Sequence, residues 1–220
     1  MKSAIGQHLD TSAVKRHVAL SVGIVVVVAD MRICTLPIGI EVRLSIALIA
    51  FAIYVCLCDG DLGSLGLRAS PRQGWKPWIR ISAMIVCAIT LCLIVGFGAL
   101  LLMGSKLPVY NHDRAFVPSL FLHMCVVSPV LEEVLYRVVV CLALVRTIGC
   151  INTIVVNGVL FALLHFLYGN PSPENMVGGF FLAWIYFKSE TILLPLLFHS
   201  IGNMVALSCQ LASGFLQLNG

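Results

Sequence analysis

Charged and polar side chains stand inside apolar stretches of the C-terminal half of this chain. Glu132 and Glu133 occur in Pro-Val-Leu-Glu-Glu-Val-Leu-Tyr-Arg, His165 ends Leu-Phe-Ala-Leu-Leu-His, and His199 and Asn203 share Leu-Phe-His-Ser-Ile-Gly-Asn. An ionisable residue in a bilayer costs about 2.5–3.5 kcal/mol on insertion scales, so it indicates a functional site. A carboxylate beside an imidazole can deprotonate water. A second imidazole with an amide can donate hydrogen bonds to an oxyanion. These residue types suit hydrolysis of a peptide bond.

The same side chains could instead bind a divalent metal such as zinc, with Glu132, His165 and His199 as the ligands. The sequence contains no HExxH or other motif with metal-ligand spacing. Spacing alone therefore leaves metal-free and metal-dependent hydrolysis open.

Helical spacing separates the two glutamates. Glu133 and Arg137 are four residues apart and can form an ion pair within one helix, which would offset the desolvation of the arginine. Glu132 points about 100° away, on the face shared with Ser128 and Tyr136. We expect Tyr136 to serve in packing. One glutamate can therefore be structural while the other stays free to act as a base.

Two further polar stripes show helical spacing. His199 and Asn203 share one helical face, and Asn157, Phe161 and His165 share another. Asn157 is expected to serve in packing. Three polar stripes on three helices can converge on one cavity.

The overall composition identifies the solvent. Of the 220 residues, 60% are hydrophobic and 11% are charged, whereas soluble domains carry about 25% charged residues. That apolar excess requires lipid. Only helix bundles and closed barrels satisfy the backbone there, and the continuous apolar runs favour helices. We predict an all-α, polytopic transmembrane bundle. The net charge of +4, spread over isolated basic residues, indicates no nucleic-acid site.

Seven apolar runs predict about seven spans, with six and eight as the alternatives. Charges at Asp30, Arg32, Glu41 and Arg43 are interpreted as breaks between the first two runs. The fourth run is too long for one span at about 1.5 Å per residue, so a break is expected near Pro129. The runs cover residues 18–29, 44–58, 81–103, 115–145, 151–168, 176–187 and 192–218.

Three regions follow from these runs. Residues 1–58 are a polar tail and two variable transmembrane helices, and residues 81–220 form a catalytic core. Residues 59–80 are expected to form an interfacial loop, with Trp75 and Trp78 at headgroup depth. With seven spans, Lys and Arg are in excess on the side of the N-terminus. This asymmetry predicts a cytoplasmic N-terminus and an outward-facing C-terminus.

The polar motifs together resemble those of the CAAX prenyl protease type II and bacteriocin-processing family of intramembrane proteases. All three family motifs occur in the right order inside apolar segments, and the resemblance covers roughly residues 60–205. The motif EExxxR corresponds to Glu132, Glu133 and Arg137, FxxxH to Phe161 and His165, and HxxxN to His199 and Asn203.

The resemblance implies a glutamate-type, metal-free endopeptidase that acts on a membrane-associated protein or peptide. The implied roles are water activation by Glu132 with His165, oxyanion stabilisation by His199 with Asn203, and support of the site by Glu133, Arg137 and Phe161.

A chain this compact resembles prokaryotic members of the family, so we expect a multi-pass protein of the prokaryotic cell (inner) membrane. A C-terminal sorting tail or a small secreted peptide is then preferred as substrate over a prenylated CaaX protein. Two other functions stay open. One is a non-catalytic immunity or scaffold protein of the same fold. The other is a proton-coupled carrier, since chains of Glu and His also serve proton relays.

Overall fold

The computed structural model describes residues 4–36, 39–103 and 116–218, and these ranges contain helices and no β-strand. The prediction of an all-α membrane protein is confirmed. The following described helical stretches are long and apolar enough to cross a bilayer: Ala13–Cys34, Ile40–Leu57, Trp75–Gly96, Val117–Leu167 and Leu193–Leu211. The chain is therefore a multi-pass integral membrane protein.

The first two helices form a hairpin that follows a short 3-10 helix at Gln7–Thr11. Helix α1 is Ala13–Cys34 and α2 is Ile40–Leu57. The expectation that Asp30 and Arg43 end the apolar runs is wrong, because both lie inside these helices. Arg43 Nε donates to Asp30 Oδ1 over 2.7 Å, and both side chains are buried. Pairing lowers the cost of keeping each charge within the bundle.

Helix α3, Trp75–Leu102, begins earlier than expected. The predicted loop over residues 59–80 therefore ends at Gly74. Trp78 is buried, since it packs against Ile185 and Leu194 of later helices, and its expected position at headgroup depth stays a prediction. Burial of this large side chain draws the start of α3 into the bundle.

The next stretch combines α-helical and π-helical turns. Its α-helices are α4 (Val117–Leu122), α5 (Ser128–Glu133) and α6 (Cys141–Leu167), and its π-helical turns are His123–Val127 and Val134–Val140.

The break predicted near Pro129 is wrong. The chain stays helical through Pro129, and a π-helical turn directly before this residue takes up the irregularity that proline introduces. The backbone instead leaves the helical region at Gly149, with φ 78° and ψ 166°. Glycine tolerates this conformation because it has no Cβ. The chain therefore turns between the predicted fourth and fifth runs.

Helices α7 (Pro173–Ser189) and α8 (Leu193–Leu218) complete the bundle. Two glycines let α7 approach α6 closely. A Cβ on Gly158 would lie 2.3 Å from the Phe180 ring, and one on Gly179 would lie 2.6 Å from Phe161 Cβ. Small residues at such crossings permit tight packing of membrane helices.

The count of seven spans stays a prediction. It requires dividing the stretch Val117–Leu167 at Gly149 and adding α7, which has 17 residues.

One end of the bundle is held by a polar cluster of Ala4, Arg68, Arg72 and Glu190, which we call the clasp. Arg72 Nη1 lies 2.8 Å from Glu190 Oε1, and the Ala4 N–H donates to the same oxygen over 3.0 Å. Arg146 reaches this end too, where its Nη2 donates to the Ile5 carbonyl over 2.6 Å. The cytoplasmic assignment of this end stays a prediction.

Candidate active site

The bundle contains a partly open cavity of about 160 Å³, and most of its lining comes from the C-terminal half of the chain. Glu132 of α5, His165 of α6, and His199 and Asn203 of α8 all line it, together with Ser128. The structure thus brings together the four residues that the sequence proposed as catalytic.

Glu132 presents a carboxylate oxygen with no fixed partner. The residue is 8% exposed, and its buried Oε2 has no hydrogen bond within the described part of the chain. The nearest basic atom that approaches Oε2 is His199 Nε2, at 3.8 Å. A buried, unpaired carboxylate oxygen is costly, so such a group at a cavity is available to a bound water.

Glu133 has the opposite environment, because both of its oxygens face basic groups. Arg137 Nε lies 2.9 Å from Oε2, which is the ion pair that the four-residue spacing predicted. His199 Nδ1 lies 2.8 Å from Oε1. Glu133 therefore connects the arginine to the imidazole and orients the His199 ring.

Arg137 is fully buried and is held from several sides. Its Nη1 donates to Asn157 Oδ1 over 2.6 Å, and its guanidinium carbon lies 5.0 Å from the centroid of the Phe161 ring. Asn157 Nδ2 in turn donates to the Tyr136 carbonyl over 2.7 Å. Asn157, which was expected to serve in packing, thus has a structural role, since its amide bridges α6 and the second π-helical turn.

His165 is half-buried and its ring is positioned by α6 itself. Nδ1 lies 3.0 Å from the Phe161 carbonyl, and the two rings lie 4.5 Å apart. If Nδ1 donates to this carbonyl, Nε2 is the nitrogen available as an acceptor at the cavity.

Asn203 is fixed by a carbonyl of the first π-helical turn. Its Nδ2 donates to Met124 O over 2.7 Å. An amide nitrogen carries two hydrogens, so one remains for a ligand.

Sequence reasoning missed Asp30 and Arg43 as part of this region. Arg43 lines the cavity, and the Tyr136 hydroxyl, expected only to pack, donates to Asp30 Oδ2 over 3.3 Å. The signal was present, because Asp30 and Arg43 are ionisable residues close to apolar runs. Interpreting each one singly as a helix boundary concealed the pair.

The donor set fits a metal ion poorly. Within the described residues, no three His, Cys, Asp or Glu side chains are grouped closely enough to hold one ion. We therefore derive no step through a metal at Glu132, His165 and His199.

A buried carboxylate, two imidazoles and an amide around one cavity are groups that suit hydrolysis of a peptide bond. Residues 114–205 match the family described as type II CAAX prenyl endopeptidase Rce1-like. The match spans all three motifs and confirms the resemblance of this region to the CAAX protease family. No curated protein and no solved structure matches the chain.

Proposed function

We propose that this protein is a glutamate-type intramembrane endopeptidase that hydrolyses a peptide bond near the membrane surface. The observation that carries the proposal is the free, buried Oε2 of Glu132 at a cavity shared with His165 and His199. The family match supports proteolysis in general, and the arrangement of these side chains supports the detailed mechanism.

In the first step, Glu132 and His165 hold a water molecule between them. Glu132 Oε2 accepts a proton from this water, and the resulting hydroxide attacks the carbonyl carbon of the scissile bond.

The tetrahedral intermediate carries its negative charge on the former carbonyl oxygen. Asn203 can donate the amide hydrogen that Met124 does not use. His199 can donate through Nε2 when both ring nitrogens are protonated, since Nδ1 faces Glu133. The Glu133 carboxylate beside Nδ1 stabilises that imidazolium form after Glu132 has taken up the proton of the water. Asn203 and His199 together provide an oxyanion hole.

In the last step, the bond between carbon and nitrogen breaks and the proton on Glu132 moves to the leaving amine. The products are one carboxylic acid and one amine, and Glu132 returns to its carboxylate form. Glu133, Arg137 and Phe161 support the reaction by fixing the His199 ring, which lies 5.8 Å from that of Phe161.

We further propose that the substrate is a membrane-associated protein or peptide, and that a C-terminal sorting tail or small secreted peptide is preferred over a prenylated CaaX protein. The expected site is the prokaryotic cell membrane. On the proposed orientation, the turn between α6 and α7 faces outward. Asn170 and Asn175 of this turn region line the cavity, which supports access from that side.

Comparative proteomics tests the proposal. Membrane and secreted fractions of cells with the wild-type protein are compared with those carrying Glu132→Gln. We expect at least one substrate to keep a segment that wild-type cells remove. Glu174→Gln, which changes an exposed carboxylate of α7, is the matched control and should process normally. Unchanged processing with Glu132→Gln would favour the immunity, scaffold or carrier functions.

Metal dependence is tested separately on the purified protein. We expect cleavage to survive incubation with a chelator, because the proposed steps use only protein groups. Loss of activity with recovery on addition of zinc would replace the metal-free mechanism.

A further inference from the structure

The N-terminal hairpin contributes a charge to the cavity. Arg43 of α2 lines it opposite the catalytic motifs, although residue 43 lies outside the matched region 114–205. Among the described residues that line the cavity, Glu132 and Arg43 are the only acidic residue and the only Lys or Arg. Apart from its histidines, the cavity therefore has one acidic and one strongly basic side chain among the described residues.

Arg43 is held in a way that leaves part of its guanidinium unused. Nε and Nη2 donate to the two oxygens of Asp30 over 2.7 and 3.2 Å. The Tyr136 hydroxyl donates to Asp30 as well, which fixes that carboxylate. In the described part of the chain, every hydrogen bond of the Arg43 side chain goes to Asp30. Nη1 therefore keeps its two donors for a ligand.

We propose that Arg43 binds a carboxylate of the peptide substrate close to the scissile bond, and that Asp30 and Tyr136 hold the guanidinium in position for it. The inference rests on the proposed function, because it names a binding group for the substrate of the same cavity. Hydrogen bonds between guanidinium and carboxylate are short and charge-assisted. The carboxylate can belong to an acidic side chain or to the end of the peptide.

Separation of the two charges orients the peptide. Arg43 forms no ion pair with Glu132 within 4.0 Å, since its only ion pair among the described residues is with Asp30. A substrate carboxylate at Arg43 therefore does not have to displace Glu132 from an ion pair. The same peptide can then present its scissile carbonyl to Glu132.

Binding measured without cleavage tests this subsite. The full chain carrying Glu132→Gln is placed in lipid nanodiscs and titrated with short, fluorescein-labelled apolar peptides. One pair contains Asp or Asn at the same position, with an amidated end. A second pair has no acidic residue and ends in a free carboxylate or an amide. Fluorescence anisotropy gives the Kd of each peptide.

We expect one carboxylate peptide to bind about tenfold to a hundredfold more tightly than its neutral partner. The pair that shows this preference identifies the source of the carboxylate. Adding Arg43→Gln should reduce the ratio of the two Kd values to about one, mainly by weakening the binding of the carboxylate peptide. Adding Arg32→Gln, which removes an exposed cation of α1, should leave the ratio unchanged.

Equal binding within both peptide pairs would overturn the proposal. So would a preference that survives Arg43→Gln, or an equal loss of affinity for all peptides, which would indicate a purely structural ion pair. If Arg43→Gln does not fold, Arg43→Lys replaces it. That variant keeps a charge but loses the forked geometry, so we expect an intermediate ratio. Residual cleavage by Glu132→Gln would count against the proposed mechanism alone, because the binding ratio is measured independently of it.

Discussion

Glu133 and Glu190 are both buried carboxylates bound to arginine, yet they belong to different kinds of cluster. Arg137, the partner of Glu133, is 0% exposed. Arg72 and Arg68, the partners of Glu190 in the clasp, are 58% and 38% exposed. The first cluster lies within the bundle, and the second has its cations at the surface.

The two clusters also end differently. In the clasp, Glu190 Oε1 binds Ala4 and Arg72, and Oε2 lies 3.4 Å from Arg68, so both oxygens face donors. Among the described residues, Glu190 Oε2 and Glu132 Oε2 both lack a hydrogen bond. The cluster around Glu133 continues through His199 to Glu132, whose Oε2 has no arginine beside it and lies 3.8 Å from His199 Nε2. Arginines therefore close the clasp, whereas the other cluster leaves a carboxylate oxygen at the cavity.

Substitution of Glu132, at the open end of the cluster around Glu133, should affect catalysis most. We expect Glu132→Gln to lower kcat/KM by about a hundredfold to ten-thousandfold, since a general base contributes that much. Its thermal unfolding temperature should not fall, because the substitution removes a buried charge without a fixed partner. Fluorogenic peptide assays and thermal unfolding of the purified variant provide both values. An activity within tenfold of wild type would contradict the role of Glu132.

Substitution of Glu133, which lies between Arg137 and His199 in the same cluster, should affect stability most. Glu133→Gln leaves the Arg137 charge buried without its carboxylate, which we expect to cost about 3–5 kcal/mol. Denaturant unfolding in detergent measures the loss. The double variant with Arg137→Met removes both charges and should recover part of the stability while activity stays low. Full activity in the double variant would show that Glu133 does not position His199.

Substitution of Glu190 in the clasp should have a smaller effect on stability. Glu190→Gln removes one charge, but Arg68 and Arg72 can turn to water, so we expect a loss of about 1–2 kcal/mol. Activity per folded molecule should stay unchanged, which distinguishes the clasp from the site. The same unfolding and peptide assays apply. A selective loss of activity would mean that the clasp also controls the cavity.

The exposed ion pair of Lys15 and Asp59 should contribute least to stability. The Lys15 ammonium, with Nζ 2.6 Å from Asp59 Oδ2, lowers the pKa of this carboxyl in the folded state. The stabilisation is therefore present above the unfolded-state pKa and is lost as the pH falls through the folded-state pKa. Asp59→Asn should lower the unfolding temperature slightly at neutral pH and not in acid. An equal difference at both pH values would exclude the ion pair as its cause.

The motifs predicted more of the site than of its surroundings. Spacing of three or four residues places side chains on one helical face, so the Glu133–Arg137 pair and the polar stripes could be derived locally. The Asp30–Arg43 pair could not, because its partners lie on different helices. Trp78 is a similar case, since its burial depends on residues of α7 and α8.

Pro129 shows a different limit of sequence reasoning. Proline removes a backbone donor and usually ends or kinks a helix, which is why a break was expected there. The wider turn that accommodates it depends on the packing of the surrounding bundle. Gly149, by contrast, carried a usable signal, because glycine is the residue that most readily adopts its positive φ.

The two π-helical turns on either side of Glu132 and Glu133 also have a genetic meaning. A π-helical hydrogen bond spans five residues instead of four, so such a turn corresponds to an insertion of one codon into an α-helix. Deleting one codon within His123–Val127 would let this turn tighten to an α-helical one, because the extra residue is what widens it. The Met124 carbonyl that accepts from Asn203 belongs to this turn, so its position would change. A descendant could thus keep every motif residue in its sequence and still lose the contact that fixes Asn203 through a single deletion.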